Sequence, residues 1–440
     1  MKKTAMKTMF AAFAATAASA FAAVPVLDVE SVTIRQGAGR TVEIEYTMNP
    51  ATAGDDEPAI VTVDILTNAV GEAAASVGGE HLQTLQGDVN KIVEHTANYK
   101  HKILWSPHKE GMPKFSLPAA QVTAQLTLWA TNSPPNYWIV DLDAPTRDND
   151  RFYLYAEQIP GTVTNAMYKT SKLVMRRIPA KGVTWKMGSP DAELWSEQKA
   201  LAVETQRYVS FSKDYFIAVF EATQGQVHRV DSSVGSANTM TPRASITMNN
   251  LRGTRNGASQ SNWPSNGHES VGGELLKWRN TIGLNVDLPT SAEWEYACRA
   301  GTATAYNNGT NPESMGTKSS FTSANLDEVA WYDKNSPDKV AHEVGLKRAN
   351  EWGLYDMHGN VGEIVLDWYT KNIPASPTWD PPGPYEGEID SSLGSHNALY
   401  RGGRYDNTAG RCRSGSGEST AIGSGGSAKT IGYRLCLVLE

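Results

Sequence analysis

The fold of this chain turns on the fifteen residues Leu288–Thr302, LPTSAEWEYACRAGT. Thr290 or Ser291 is a capping-type residue placed just before AEWEYACRAG. Glu293 falls in the first turn and Gly301 marks a stop, so the spacing predicts one well-delimited helix. Glu293, Glu295 and Arg299 share or neighbour one face of it, a pattern that reads as helix packing and ion pairing rather than acid–base chemistry. A second short helix is predicted at TQGQVHRV, residues 223–230. Helix signals are otherwise few. With 38 Gly and 12 Trp, the chain reads as a loop-rich, aromatic-studded α+β protein rather than a helical bundle.

N-terminal to that helix the chain divides by composition. Its 440 residues suffice for two or three domains. Residues 1–22 carry a basic start, an apolar small-residue stretch and the A-x-A site Ala20-Phe21-Ala22, which reads as a signal peptide. Export to the periplasm or beyond the cell is therefore expected, with no later segment long enough to span a membrane. Residues 23–143 hold VTIRQ, TVEIEYTM, AIVTVDIL, HKILWS and AQLTLWATN between turn clusters. These predict a small immunoglobulin-like β-sandwich. Residues 144–168 read as a linker or boundary, with one more strand on either side, and DLDAPTRDND (141–150) lacks the Gly and Glu of an EF-hand loop. A second unit covers 169–440, opening with strand–turn–strand over 172–190 and including a long polar insertion over 230–264. The formal net charge of -7 and the lack of a long basic run argue against a nucleic-acid partner.

Four stretches of the second unit, in this order, resemble the sulfatase-modifying-factor family that contains the formylglycine-generating enzymes. They are WKMGSPDAE (185–193), LPTSAEWEYACRAGT, WGLYDMHGNVGE (352–363) with LDWY (366–369), and RGG (401–403) followed by GYRL (432–435). The resemblance implies a large, loop-rich variant of the C-type lectin fold over 169–440. It also implies an oxygen-dependent oxidation of a substrate cysteine to formylglycine, by two cysteines that bind Cu(I). A soft metal with two nearby thiolates leaves room for a substrate thiolate.

Counted from Gly402-Gly403, those two positions are Asn407 and Cys412. Asn407 supplies no thiolate, so the copper site is incomplete and Cys412 is left as its sole catalytic candidate. Counted back from GYRL, Cys412 instead matches a structural cysteine that pairs with the one in the EYxCR helix, here Cys298. A Cys298–Cys412 disulfide in an exported domain would close a long loop and contribute about 3–5 kcal/mol. Cys436, in YRLCLVL, reads as a buried structural thiol.

The resemblance also implies calcium, bound by Asp356, the carbonyls of Gly359 and Val361, and Glu363, with a weaker second site at Asn325 and the Leu326 carbonyl. Gly362 and Ile364 stand where the family carries tryptophans, so packing around this loop is expected to differ. Nine histidines form no zinc-type spacing, and His358 and His396 read as polar loop residues. No G-x-S-x-G supports a hydrolase. Of the 15 residues Ser414–Ala428, 13 are Gly, Ser, Thr or Ala, which suggests either a surface loop or part of a groove. Arg404, Arg411 and Arg413, with Asn407, form a candidate ligand patch. The expected function is binding of an exported protein or glycan by a calcium-stabilised module without the oxidase activity. The alternatives are the oxidase itself, or a ligand binder whose terminal segment between RGG and GYRL is diversified.

Overall fold

The computed structural model describes residues 24–51, 57–67, 73–112, 115, 122–190, 193, 204–254, 271–313, 323–369, 378–381, 397–421 and 429–439. The expected signal peptide, residues 255–264 of the polar insertion, His396 and residues 422–428 of the small-residue stretch lie outside them. Among the described residues no helix is long and apolar enough to cross a membrane.

The first unit is two antiparallel sheets around one core. In the first sheet Val26–Gln36, Val42–Asn49, His101–Trp105 and Gln86–Gly87 pair in that order. In the second, Ala59–Thr67 pairs with Val122–Trp129 along one edge and with Ala75–Ser76 and Lys91–Val93 along the other. Val42, Ile44, Tyr46 and Met48 alternate inward with Glu43 and Glu45 turned out, the period of a half-buried strand. They meet Val61, Val63, Ile65, Ile103 and Trp105 in a shared apolar cluster.

The second unit is built on a five-stranded antiparallel sheet. Its order is Arg151–Tyr153, Tyr137–Asp141, Lys172–Ile178, Tyr215–Ala218 and Cys436–Val438. The first two strands lie in sequence on either side of the compositional boundary at 143/144, yet their hydrogen bonds join them to the strand Lys172–Ile178. Both faces of this sheet are covered. Trp138, Val140, Leu173, Met175 and Phe216 face one cluster, and Tyr137, Ile139, Val174, Tyr215 and Ile217 face the other. That is why YFIA is buried at every position instead of alternating. The two units touch through the 150s: the Phe152 N–H donates to Asn90 O at 3.0 Å, and Gln158 Nε2 donates to Val63 O at 3.3 Å.

Helices pack on both clusters. Gly273–Ile282 inserts Leu275, Trp278 and Ile282 into the first and ends at Gly283 in the left-handed conformation. Ser291–Arg299 inserts Ala292, Trp294, Ala297 and Cys298 into the second. Thr290 Oγ1 accepts the Glu293 N–H at 3.2 Å and Glu293 Oε2 accepts the Thr290 N–H at 2.7 Å, the expected reciprocal cap. The predicted helix at Gln224–Val230 is present, capped by Thr223. A four-stranded sheet, ordered Gly417–Ala421, Asn397–Arg401, Gly362–Trp368 and Ile431–Tyr433, brings two of the four motif stretches together.

Candidate functional site

The RGG turn leaves the strand Asn397–Arg401 and leads to Ala409–Cys412, one short 3-10 turn. Gly403 has φ +74°, and a Cβ there would stand 2.6 Å from Cys412 Sγ. Gly403 therefore makes room for the sulfur, while a Cβ at Gly402 would meet the Trp294 ring at 3.3 Å. Cys412 is fully buried, clustered with Tyr306, Leu326, Tyr332 and Ala409. Burial pushes its thiol up to about 12, so it is neutral at pH 7. Asn407 is also buried: its N–H donates to Arg404 O and its carbonyl accepts the Asp333 N–H, both at 2.9 Å. A buried amide and a neutral thiol do not fit Cu(I), which needs two accessible thiolates.

The expected Cys298–Cys412 disulfide is not formed. The two residues sit in different apolar clusters as free thiols. Cys298 Sγ faces Met357 O at 3.8 Å and Ser414 Oγ at 3.7 Å, while Cys412 Sγ faces Arg404 O at 3.9 Å. His358 touches both residues. Its Nε2 accepts the Asn307 N–H at 3.0 Å, which assigns the proton to Nδ1, and Nδ1 donates to Cys412 O at 2.7 Å. Burial pulls this imidazole down to about 4. His358 is thus a fully buried neutral strut, not the polar loop residue expected from sequence. Cys436 is buried, and its N–H donates to Asp287 O at 2.7 Å.

The loop 352–363 turns through four residues of positive φ, Gly353, Asp356, Gly359 and Asn360. At Gly359 a Cβ would fall 1.9 Å from Trp331 O, so this position requires glycine. Asp356 Oδ2 accepts the Gly345 N–H at 2.6 Å, and Oδ1 is buried with no partner. Glu363 is already compensated. Arg434 donates Nη2 to its Oε1 at 2.6 Å and Nε to its Oε2 at 2.9 Å, and Trp294 Nε1 donates to Oε2 at 2.6 Å. Glu221 had no role in the sequence reading. It is fully buried, accepting Asn360 Nδ2 at 2.6 Å and the Val361 N–H at 3.0 Å. Burial, then Asp356 and Glu363, raise its carboxyl well above the ordinary range. Its only sequence signal is a single acid inside the apolar run FIAVFEA.

Among the described residues no group of three or more His, Cys, Asp or Glu is arranged to hold a metal. The donors open to calcium at this loop reduce to Asp356 Oδ1 with loop carbonyls. At the weaker site, Asn325 Nδ2 donates to Asn311 O, and Leu326 O accepts the Val329 N–H. Where the family carries tryptophan, Gly362 lies under the Tyr400 ring, 2.5 Å from where a Cβ would be.

The candidate ligand patch divides. Arg413 is fully buried between Glu193 and Glu204, with both ion pairs at 2.8 Å, and is therefore a core residue rather than a surface anion contact. Asn407 is buried as described. Arg404 pairs with Asp406 at 3.2 Å and Arg411 with Glu418 at 2.6 Å, and these two reach the surface. Beneath them Glu295 joins Arg299 at 2.9 Å and Arg401 at 3.2 Å, which confirms ion pairing as the role of the helix charges.

Residues 174–438, more than half of the chain, match the family described as sulfatase-modifying factor enzyme 1-like domain, and the chain belongs to that family. Over 138 residues it is 32% identical to a chaperone protein LppX of Paenibacillus barcinonensis, covering 26% of this chain and 43% of that protein. Over 108 residues it is 31% identical to the formylglycine-generating enzyme of Mus musculus, covering 23% and 27% respectively. The chain spans less than half the length of these curated relatives. Among solved structures, Treponema denticola variable protein 1 shares 22% identity with a TM-score of 0.42, over 60% of this chain and 95% of that one. At that score the likeness carries no functional argument.

Proposed function

We propose that this chain is an exported member of its family that binds a protein or glycan and does not oxidise cysteine with copper. The observation that carries the reading is the pairing of Asn407 with a Cys412 thiol that is fully enclosed and held neutral by burial. Thiolate chemistry needs a sulfur that ionises near neutral pH and meets solvent or substrate, and Cys412 does neither. The ligand-facing groups of the RGG segment are then Arg404 and Arg411. Calcium, where it binds, serves as a weak brace at Asp356 rather than as a catalytic ion.

The reading is tested by incubating the full chain aerobically with copper and a cysteine-containing sulfatase peptide, and weighing the peptide. An unchanged peptide mass is expected. Conversion of its cysteine to formylglycine, lost in Cys412→Ser, would overturn the reading.

A further inference from the structure

Strand Thr184–Met187 lies at the edge of a three-stranded sheet, paired among the described residues only with Arg207–Ser210, which pairs on its other side with Thr378–Trp379. The register sets Lys186 opposite Tyr208 and Ser210 opposite Trp379. Because side chains alternate along a strand, Lys186, Tyr208 and Trp379 share one face. Both aromatics are open to solvent, Tyr208 at 52% and Trp379 at 65%. Neighbouring same-face positions on adjacent strands lie within reach of aromatic side chains.

Trp185 lies on the opposite face of this strand. Trp185 packs against Tyr296 of the helix Ser291–Arg299 with ring centroids 5.3 Å apart, and Tyr296 in turn meets Trp352 at 5.1 Å. Beside this pair is a cavity of about 300 Å³, lined by Trp185, Lys186, Gln206, Tyr296 and Arg299 among others. That is the lower end of the range for small-ligand sites, room for one sugar-sized unit. Its walls combine rigid aromatic rings with unused polar groups. The Trp185 indole N–H is buried without a partner. Neither the Lys186 nor the Gln206 side chain makes a hydrogen bond or ion pair with any described residue. Arg299 also lines it, its charge met by Glu295 Oε1 and its guanidinium held by Thr304 O and Gly188 O, all at 2.9–3.0 Å. Among the described residues no carboxylate side chain lines the cavity.

We propose that this edge is a binding site for an acidic polysaccharide. One uronate unit sits in the cavity and the chain continues over Tyr208 and Trp379. Each part of the chemistry has a counterpart on the protein. A pyranose ring offers a C–H face to the electron-rich faces of Trp185 and Tyr296. Its hydroxyls accept from the indole N–H and exchange hydrogen bonds with the Gln206 amide. Its carboxylate meets the Lys186 ammonium. A neutral sugar would leave the lysine unmatched, and an acidic peptide lacks the flat C–H face. The chain as a whole is acidic, with a formal charge of -7, so a polyanion is repelled everywhere except where local geometry favours it. This site is separate from the RGG segment and requires nothing of Cys412, so the two proposals stand or fall independently.

Affinity electrophoresis of the full chain through gels containing polygalacturonate, against gels containing hydroxyethylcellulose, tests the assignment at moderate salt. Retardation by polygalacturonate alone is expected. Lys186→Glu and Trp379→Ala, both at exposed positions, should each weaken binding at least tenfold while leaving the thermal melt unchanged. Absence of retardation, equal retardation by the neutral polymer, or full binding by either variant would overturn the proposal.

Discussion

Arg434 of the GYRL stretch grips Glu363 of the GNVGE stretch through three contacts of 2.6, 2.9 and 3.1 Å, and neither side chain has any solvent exposure. The same guanidinium donates Nη1 to the carbonyls of Ala218 and Val219 at 2.9 and 2.8 Å, tying both motifs to the central sheet. Removing one member of such a pair leaves an uncompensated buried charge, a loss of about 3–5 kcal/mol. Arg434→Met should therefore lower the urea midpoint sharply or prevent folding. A midpoint within experimental error of the parent would show that the ion pair is dispensable.

Gly403 and Cys412 form the second close relationship. Gly403→Ala places a methyl group against the sulfur at a positive φ, and should destabilise by about 3 kcal/mol. Cys412→Ala removes the sulfur contact but neither the close approaches to Arg411 O at 2.8 Å and Cys412 Cα at 2.9 Å nor the backbone strain. The double variant should recover about 1 kcal/mol relative to the sum of the single ones. Strict additivity in chemical denaturation would mean that the glycine does not serve to seat the sulfur.

Asp367 supplies a pH dependence. Its Oδ2 accepts the Ser291 N–H at 2.5 Å at the start of the helix Ser291–Arg299, yet burial raises its carboxyl from 3.8 to about 6. A folded-state pKa above the unfolded one means that folding favours the protonated form. That contribution is complete below about pH 4 and is lost as pH rises through 6. Two units correspond to about 3 kcal/mol. Asp367→Asn keeps an oxygen for the helix N–H without the charge, so its stability should fall less than the parent's between pH 4 and 7. Parallel melting curves across that range would contradict the assignment.

At the loop 352–363, one free oxygen of Asp356 with carbonyls is a low-charge donor set, which places calcium affinity in the millimolar range. Calcium at several millimolar should raise the melting temperature, micromolar calcium should not, and Asp356→Asn should abolish the gain. Asn tolerates the left-handed backbone at this position, where φ is +56°. A micromolar calcium effect would require Glu363 to leave Arg434.

Much of the framework was legible in the sequence because it rests on local physics. The Thr290/Glu293 cap and the alternation in TVEIEYTM each predict their own element. The helix Gly273–Ile282 was missed although Leu275, Trp278 and Ile282 carry helical spacing, because its N-cap is a glycine with no side chain to signal a start. The strands around 143 were read correctly, but sheet membership depends on distant partners that local composition does not encode. The site was less legible for the same reason. Arg413 looks like a surface cation until Glu193 and Glu204 fold over it, and Glu221 joins Asp356 and Glu363 only through tertiary contacts. Cys412 changes character through burial, a property of the whole fold rather than of its neighbours in the chain.

The central claim is that this family member lacks the copper site, and Cu(I) titration of the reduced full chain against a competing chromophoric chelator tests it most directly. The account predicts no stoichiometric uptake, with parent and Cys412→Ser giving superimposable curves. Tight uptake of one Cu(I) per chain, abolished by Cys412→Ser, would contradict it.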